Sequence, residues 1–249
     1  MKNNFKTRCS TSLSFLLAIS LLAGCSNSEN QNVATSTESG TTATAEATTE
    51  PTESADELSI DDLQFTEYSL ENDFATEYLV AVKNNSNITV GLSANATAYD
   101  ASNGLLGADT AEIDVLGPNE ESVFLFYFDG VSGVDHIDYK DNIQYSVGSN
   151  LYYEPVISNL SVQDAVNGDV LTLAVTNNGE YDAEFVEAYA VFMDANNTPL
   201  EIDETYIVDS NSKIAAGATQ SEQINYYSSY NKGAFDHVTY YFTGRADKY

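Results

Sequence analysis

An all-β fold, two tandem sandwich domains after a disordered linker, is what this sequence predicts, and three observations predict it. Beyond residue 57 apolar and polar residues alternate in segments rich in Val, Ile, Tyr, Phe and Thr, the pattern of half-buried strands. Clusters of Asn, Asp and Gly interrupt these segments at short intervals, as turns do, and no segment carries a helical period. The region also repeats itself. Leu79-Val80-Ala81-Val82-Lys83-Asn84-Asn85 answers to Thr172-Leu173-Ala174-Val175-Thr176-Asn177-Asn178, and Asp135-His136-Ile137-Asp138-Tyr139 answers to Asp236-His237-Val238-Thr239-Tyr240. Between them, Ala94-Asn95-Ala96-Thr97-Ala98-Tyr99-Asp100-Ala101 answers to Ala188-Tyr189-Ala190-Val191-Phe192-Met193-Asp194-Ala195. Repetition on this scale is a domain duplication.

Residues 1–24 read as an export leader: Lys2, Lys6 and Arg8, then an apolar run over 13–22, then Ala23-Gly24 before Cys25. This is a secretory layout. The run is about half of the ~20 residues needed to cross a bilayer as a helix, so removal after export is the reading rather than a permanent span. Leu22-Ala23-Gly24-Cys25 resembles the lipobox of bacterial lipoprotein signal peptides. That resemblance implies a diacylglyceryl group on the Cys25 thiol, cleavage before Cys25, and a new amino terminus open to acylation. Two acyl chains anchor stably where one binds reversibly, so the implied location is the extracytoplasmic face of the cell membrane. Cys9 leaves with the leader, and the one remaining cysteine permits no internal disulfide. Each domain is expected to stand on its own hydrophobic core.

Removing Lys2, Lys6 and Arg8 from the 9 basic residues leaves 6 against 38 acidic ones, a net charge of −32. Such a field repels nucleic acid and anionic polymers, which excludes a nucleic-acid partner. Residues 25–56 are Ser, Thr, Ala, Glu and Asn with almost no large apolar side chain. They cannot bury enough surface to offset chain entropy, and read as a disordered tether reaching on the order of 100 Å at full stretch.

The first repeat, 57–150, is expected to hold strands over 63–69, 77–83, 90–99, 110–116, 122–128 and 136–147, and the second repeat is 151–249. Each has the size and strand number of an immunoglobulin-like sandwich. Asn84-Asn85-Ser86 and Asn177-Asn178-Gly179 suit turns with left-handed backbone angles. A strand, an Asn-Asn turn, a strand ending in Asp-Ala and a later Gly-Pro-type turn together resemble the FxLYD group of bacterial envelope β-sandwich domains. The group's phenylalanine falls on Ala96 and Ala190, its leucine on Ala98 and Phe192, its tyrosine on Tyr99 and Met193, and its aspartate on Asp100 and Asp194. The resemblance implies an envelope domain without a known reaction.

For chemistry the candidates are few. His136 and His237 each follow an aspartate, and an Asp–His pair can orient a general base. A nucleophile is missing, because Cys25 is the lipid site and no serine sits in a Gly-x-Ser-x-Gly elbow. The repeated pair is better explained as a structural turn, so no catalytic residue is assigned and the protein is read as a non-enzyme. Asp100-Ala101-Ser102-Asn103-Gly104 and Asp194-Ala195-Asn196-Asn197 offer oxygen ligands. They lack the six to eight oxygens calcium takes and suit Asx turns, so no metal and no cofactor are assigned.

Tyrosine gives amphipathic contact area, and it gathers at Tyr152-Tyr153 near the repeat junction and over 226–230. Neighbours on a strand face opposite ways, so one of Tyr226 and Tyr227 belongs to the core. Tyr227 and Tyr230 are the candidate binding residues, on the argument that the second repeat lies farther from the tether. The functional expectation is a non-catalytic protein-interaction or spacer module of the bacterial envelope. Its alternative is a lipoprotein that captures a ligand, a carbohydrate or a transport-associated one. Partners are the membrane, through Cys25, and an envelope protein or glycan.

Overall fold

The computed structural model describes residues 58–227 and 233–248, and the regular elements among them are strands and single 3-10 turns. The first repeat holds β1 (Leu63–Glu71), β2 (Ala75–Asn84), β3 (Val90–Tyr99), β4 (Leu105–Leu116), β5 (Glu121–Asp129), β6 (His136–Asp138) and β7 (Ile143–Val147). The second holds β8 (Tyr153–Glu154), β9 (Leu160–Asn167), β10 (Val170–Asn177), β11 (Ala183–Met193), β12 (Pro199–Tyr206), β13 (Lys213–Ile214), β14 (Thr219–Asn225) and β15 (His237–Asp247). Strand order is β1-β2-β5 facing β4-β3-β6 in one repeat, with β7 also on β3, and β9-β10-β14 facing β12-β11-β15-β8 in the other. All pairings are antiparallel, and consecutive strands cross between sheets after β2, β4 and β5, as in immunoglobulin-like sandwiches.

Alternation fills each sandwich. Tyr78, Val80 and Val82 on β2, Ala94, Ala96 and Ala98 on β3, and Phe124, Phe126 and Phe128 on β5 form the first core. Leu171, Leu173 and Val175 on β10, with Ala188, Ala190 and Phe192 on β11, form the second. The alanines on β3 let the three phenylalanines of the facing sheet fit between the layers, and Phe192 fills the equivalent space from the opposite sheet.

A third apolar layer joins the repeats. Leu79 and Ala81 on β2 and Val123 on β5 face away from the first core and pack with Val191 and Met193 on β11 and Ile202 on β12. Four sheets are therefore stacked around three buried layers, and both sandwiches belong to one compact unit beginning at Glu53. The Tyr68 and Tyr241 hydroxyls meet in this seam at 2.7 Å. Each repeat keeps a core of its own, and this layer is added between them. The tether, residues 25–56, lies outside the described residues.

Two local expectations are corrected. The strand expected over 136–147 breaks into β6 and β7, because Tyr139 turns into the first core, where its hydroxyl donates to Glu67 Oε1 at 2.6 Å. A 3-10 turn, Lys140–Asn142, follows it, and Lys140 Nζ reaches the same Glu67 oxygen at 2.8 Å. The Asn-Asn turns have no left-handed residue. Positive φ falls elsewhere, on residues such as Asn103, Asn119, Gly168, Asn197 and Gly217. What the first asparagine of each pair supplies is its side chain: Asn84 and Asn177 are buried and bonded to backbone on both sides of their turns.

Candidate binding groove at the repeat junction

The two histidines take matching places. Asp135 N–H donates to the Tyr99 carbonyl and Asp236 N–H to the Met193 carbonyl, fixing the start of β6 and of β15 on the central strand of each sheet. His136 Nδ1 lies 3.1 Å from Asp135 Oδ2, and His237 Nδ1 lies 3.1 Å from Asp236 Oδ2. His136 also stacks on Tyr99, ring centres 5.1 Å apart. Both imidazoles stand over a third exposed with no hydroxyl or thiol bonded to them among the described residues. Alanine at either position is expected to lower stability by at most about 1 kcal/mol. Thermal melts of the single and double variants check this.

The aspartate loops are Asx turns. Asp100 Oδ1 accepts from Ser102 N, Ser102 Oγ and Gly104 N, and Asp194 Oδ1 accepts from Asn196 N and Thr198 N. These donors hold both carboxyls below the ordinary carboxylate range, the Ser102 hydroxyl contributing most at Asp100 and the Thr198 N–H most at Asp194. The same turn recurs at Asp209, whose Oδ1 accepts from Asn211 N. The carboxylate oxygens are turned on their own loops. No group of three or more His, Cys, Asp or Glu converges as a metal cage among the described residues.

Of the candidate tyrosines, Tyr226 is the core member of its pair. Its ring packs on Phe192 and Phe235, and its hydroxyl donates to the Gly233 carbonyl at 2.6 Å. Tyr227 is half exposed, and its N–H donates to Glu201 Oε2. Tyr230 and Cys25 lie outside the described residues.

The junction tyrosines are placed differently, against a hollow of about 340 Å³. Its walls are Ser93 on β3, Glu112 and Asp114 on β4, Gln144 to Ser146 on β7, and the junction from Asn150 to Tyr153. Sequence makes this shape at Gly91, where β3 shifts register against β4. A Cβ there would sit 2.9 Å from the Asp114 carbonyl oxygen and 3.2 Å from Leu151 Cδ2, so only glycine lets the junction peptide lie across the sheet. Leu151 is buried in that position, and Lys248 Nζ donates to its carbonyl. Tyr152 and Tyr145 are exposed beside the hollow at 80% and 44%.

Arg245 holds two of the wall residues, Tyr153 and Asp114. It is the only arginine after Arg8 in the sequence, and its guanidinium lies between the rings of Tyr153 and Phe185, 4.0 and 4.7 Å from their centres. It pairs with Asp114 of the other repeat. Cation–π stacking of this kind contributes most where water is partly excluded. Phe185 reaches the guanidinium from a break in β11 register between Glu184 and Glu187, at φ +50, a backbone conformation rare for an aromatic residue. Sequence reasoning singled out Tyr152 and Tyr153 and missed Tyr145, Glu112, Asp114 and Arg245. A lone arginine in so acidic a chain was the available signal for the last.

No family model and no curated protein matches the chain. Among solved structures, the crystal structure of red sea bream transglutaminase matches at 13% identity and a TM-score of 0.24. The match covers 74% of this chain and 29% of that one, and likeness at this level carries no argument about activity. No helix among the described residues is long and apolar enough to cross a membrane.

Proposed function

We propose that this chain is a non-catalytic interaction or spacer module of the bacterial cell envelope, held at the extracytoplasmic face of the membrane by lipid on Cys25. The observation that carries the module reading is the apolar seam of Leu79, Ala81, Val123, Val191, Met193 and Ile202. It makes the two sandwiches one body with surfaces in fixed relation, which a recognition or spacing element requires. The lipobox-like Leu22-Ala23-Gly24-Cys25 supports the anchor. Ligand capture is the second reading, favoured by the polar hollow with Tyr145 and Tyr152 beside it.

Metabolic labelling with a fatty acid tests the anchor: the native chain takes label and Cys25→Ala takes none. Undiminished label on the variant removes the lipoprotein reading. Affinity capture from envelope extracts on the immobilised chain tests the module reading. Tyr227→Ala is expected to weaken a captured protein about thirtyfold if Tyr227 anchors the interface.

A further inference from the structure

We propose that the hollow at the repeat junction binds a neutral, β-linked oligosaccharide, with Tyr152 stacking on a pyranose face and Gln144, Asn150 and Glu112 engaging hydroxyls. The proposal rests on the ligand-capture reading and names its site and ligand class.

Charge decides the ligand's sign. Two carboxylates border the hollow, Glu112 and Asp114, and Arg245 neutralises the second. The remaining polar lining, Ser93, Gln144, Ser146 and Asn150, is uncharged and can both donate and accept. Anionic polymers are repelled by a chain of net charge −29, and a polycation would find one uncompensated carboxylate. A hexopyranose with equatorial hydroxyls matches the lining on both counts. Its flat C–H face suits a tyrosine ring, and its rim of hydroxyls suits amides, hydroxyls and one carboxylate. A volume of about 340 Å³ is at the lower end for small-molecule sites, room for one or two sugar rings with the chain continuing over exposed Tyr152.

Preorganisation supports the same conclusion. Leu151 seated over Gly91 fixes one wall, and the Tyr153–Arg245–Phe185 stack with Asp114 fixes another. Neither wall has to be ordered when ligand arrives, which removes a cost of binding. The ring left over for contact is Tyr152, 80% exposed and not consumed in packing.

The test uses the full chain in a detergent without sugar headgroups, titrated by calorimetry with β-1,4-linked tetramers of glucose and of N-acetylglucosamine. The deacetylated, amine-bearing tetramer is the third probe. At least one neutral tetramer is expected to bind saturably, Tyr152→Ala to weaken it about tenfold or more with an unchanged melting temperature, and Tyr152→Trp to restore it. Absence of binding by both neutral tetramers overturns the proposal, as does full affinity in Tyr152→Ala. Preference for the amine tetramer overturns it in favour of an organic cation. Capture of a protein from extracts together with no binding of either neutral tetramer would overturn the sugar site while leaving the interaction-module reading standing. Failure of every glycan and of protein capture would remove both.

Discussion

Replacing Asn84 with alanine is expected to lower unfolding stability by about 3–5 kcal/mol, among the largest losses a single polar side chain can give here. Asn84 is fully buried at the end of β2. Its Nδ2 donates to the carbonyls of Ile88, Gly117 and Leu116 at 2.8, 3.1 and 3.2 Å, and its Oδ1 accepts from the N–H and hydroxyl of Ser86. One side chain thus ties the β2–β3 turn to the loop before β5. A neutral hydrogen bond contributes about 1 kcal/mol net, and each buried group left without a partner costs about 1–3 kcal/mol. Asn177 repeats the arrangement with fewer bonds, to the Tyr181 and Ile214 carbonyls and from Gly179 N–H, so Asn177→Ala is expected to cost about 2–3 kcal/mol. Asn84→Asp should be worse than Asn84→Ala, because it aims a carboxylate at three carbonyl oxygens. Urea unfolding followed by tyrosine fluorescence measures all three. A loss under about 1 kcal/mol at Asn84 would show that water replaces the side chain and that the turn stands without it.

Stability should also fall as pH rises through the weakly acidic range, by on the order of 1–3 kcal/mol, and Glu77→Gln should remove much of the slope. Burial pushes the Glu77 carboxyl up to about 7 from an ordinary 4.5, and the charges of Glu204, Asp203 and Glu201 on the facing repeat push the same way. The bond from Asn72 Nδ2 to Glu77 Oε1 opposes them without prevailing. A raised carboxyl means the folded state holds its proton where the unfolded state has lost it. Below about pH 4.5 both states are protonated and Glu77 costs nothing. Between there and about pH 7 the unfolded state is increasingly favoured, and above about pH 7 the penalty is complete. Glu187, Asp203 and Glu204 are shifted upward as well, burial being the main cause for each, so they add to the same slope. Glu67 acts in the opposite sense: burial is outweighed there by bonds from Lys140, Tyr139 and Tyr78, which hold it low, so its contribution is lost in acid. Comparing native and Glu77→Gln unfolding at pH 5 and pH 8 isolates what this carboxyl contributes. Equal pH dependence in the two proteins would place Glu77 in water.

The sandwich was legible because period-two alternation is a local property, and the duplicated segments gave each strand a second witness. The seam was legible in principle from the places where aligned copies differ. Leu79 answers to Thr172, while Asn95 and Thr97 answer to Tyr189 and Val191. In each pair one copy turns apolar on the face its twin leaves polar, which marks a strand covered on both sides. The hollow was not legible. It depends on a register shift at Gly91, on Leu151 crossing a sheet, and on Asp114 and Arg245 meeting across 131 residues of chain. The roles of Asn84 and Asn177 were misread because turn statistics describe backbone angles, whereas burial decides what an amide side chain does.

The seam joins unlike faces, the outer side of β1-β2-β5 in one copy and that of β11-β12-β15 in the other. Contacts of this head-to-tail kind do not close by symmetry and, if every copy carried both faces, would propagate into a filament. Among the described residues polar side chains hold outward positions of the terminal sheets, Ser93, Asn95 and Thr97 on β3 at one end, Thr172 and Thr176 on β10 with Ser221 and Gln223 on β14 at the other, so neither end repeats the apolar faces of the seam. The described residues thereby form a stack of two members, each covering an apolar face of the other. Lengthening it would take an inserted copy with Leu, Ala and Val on its β2- and β5-like strands and Tyr, Val and Met on its β3-like strand.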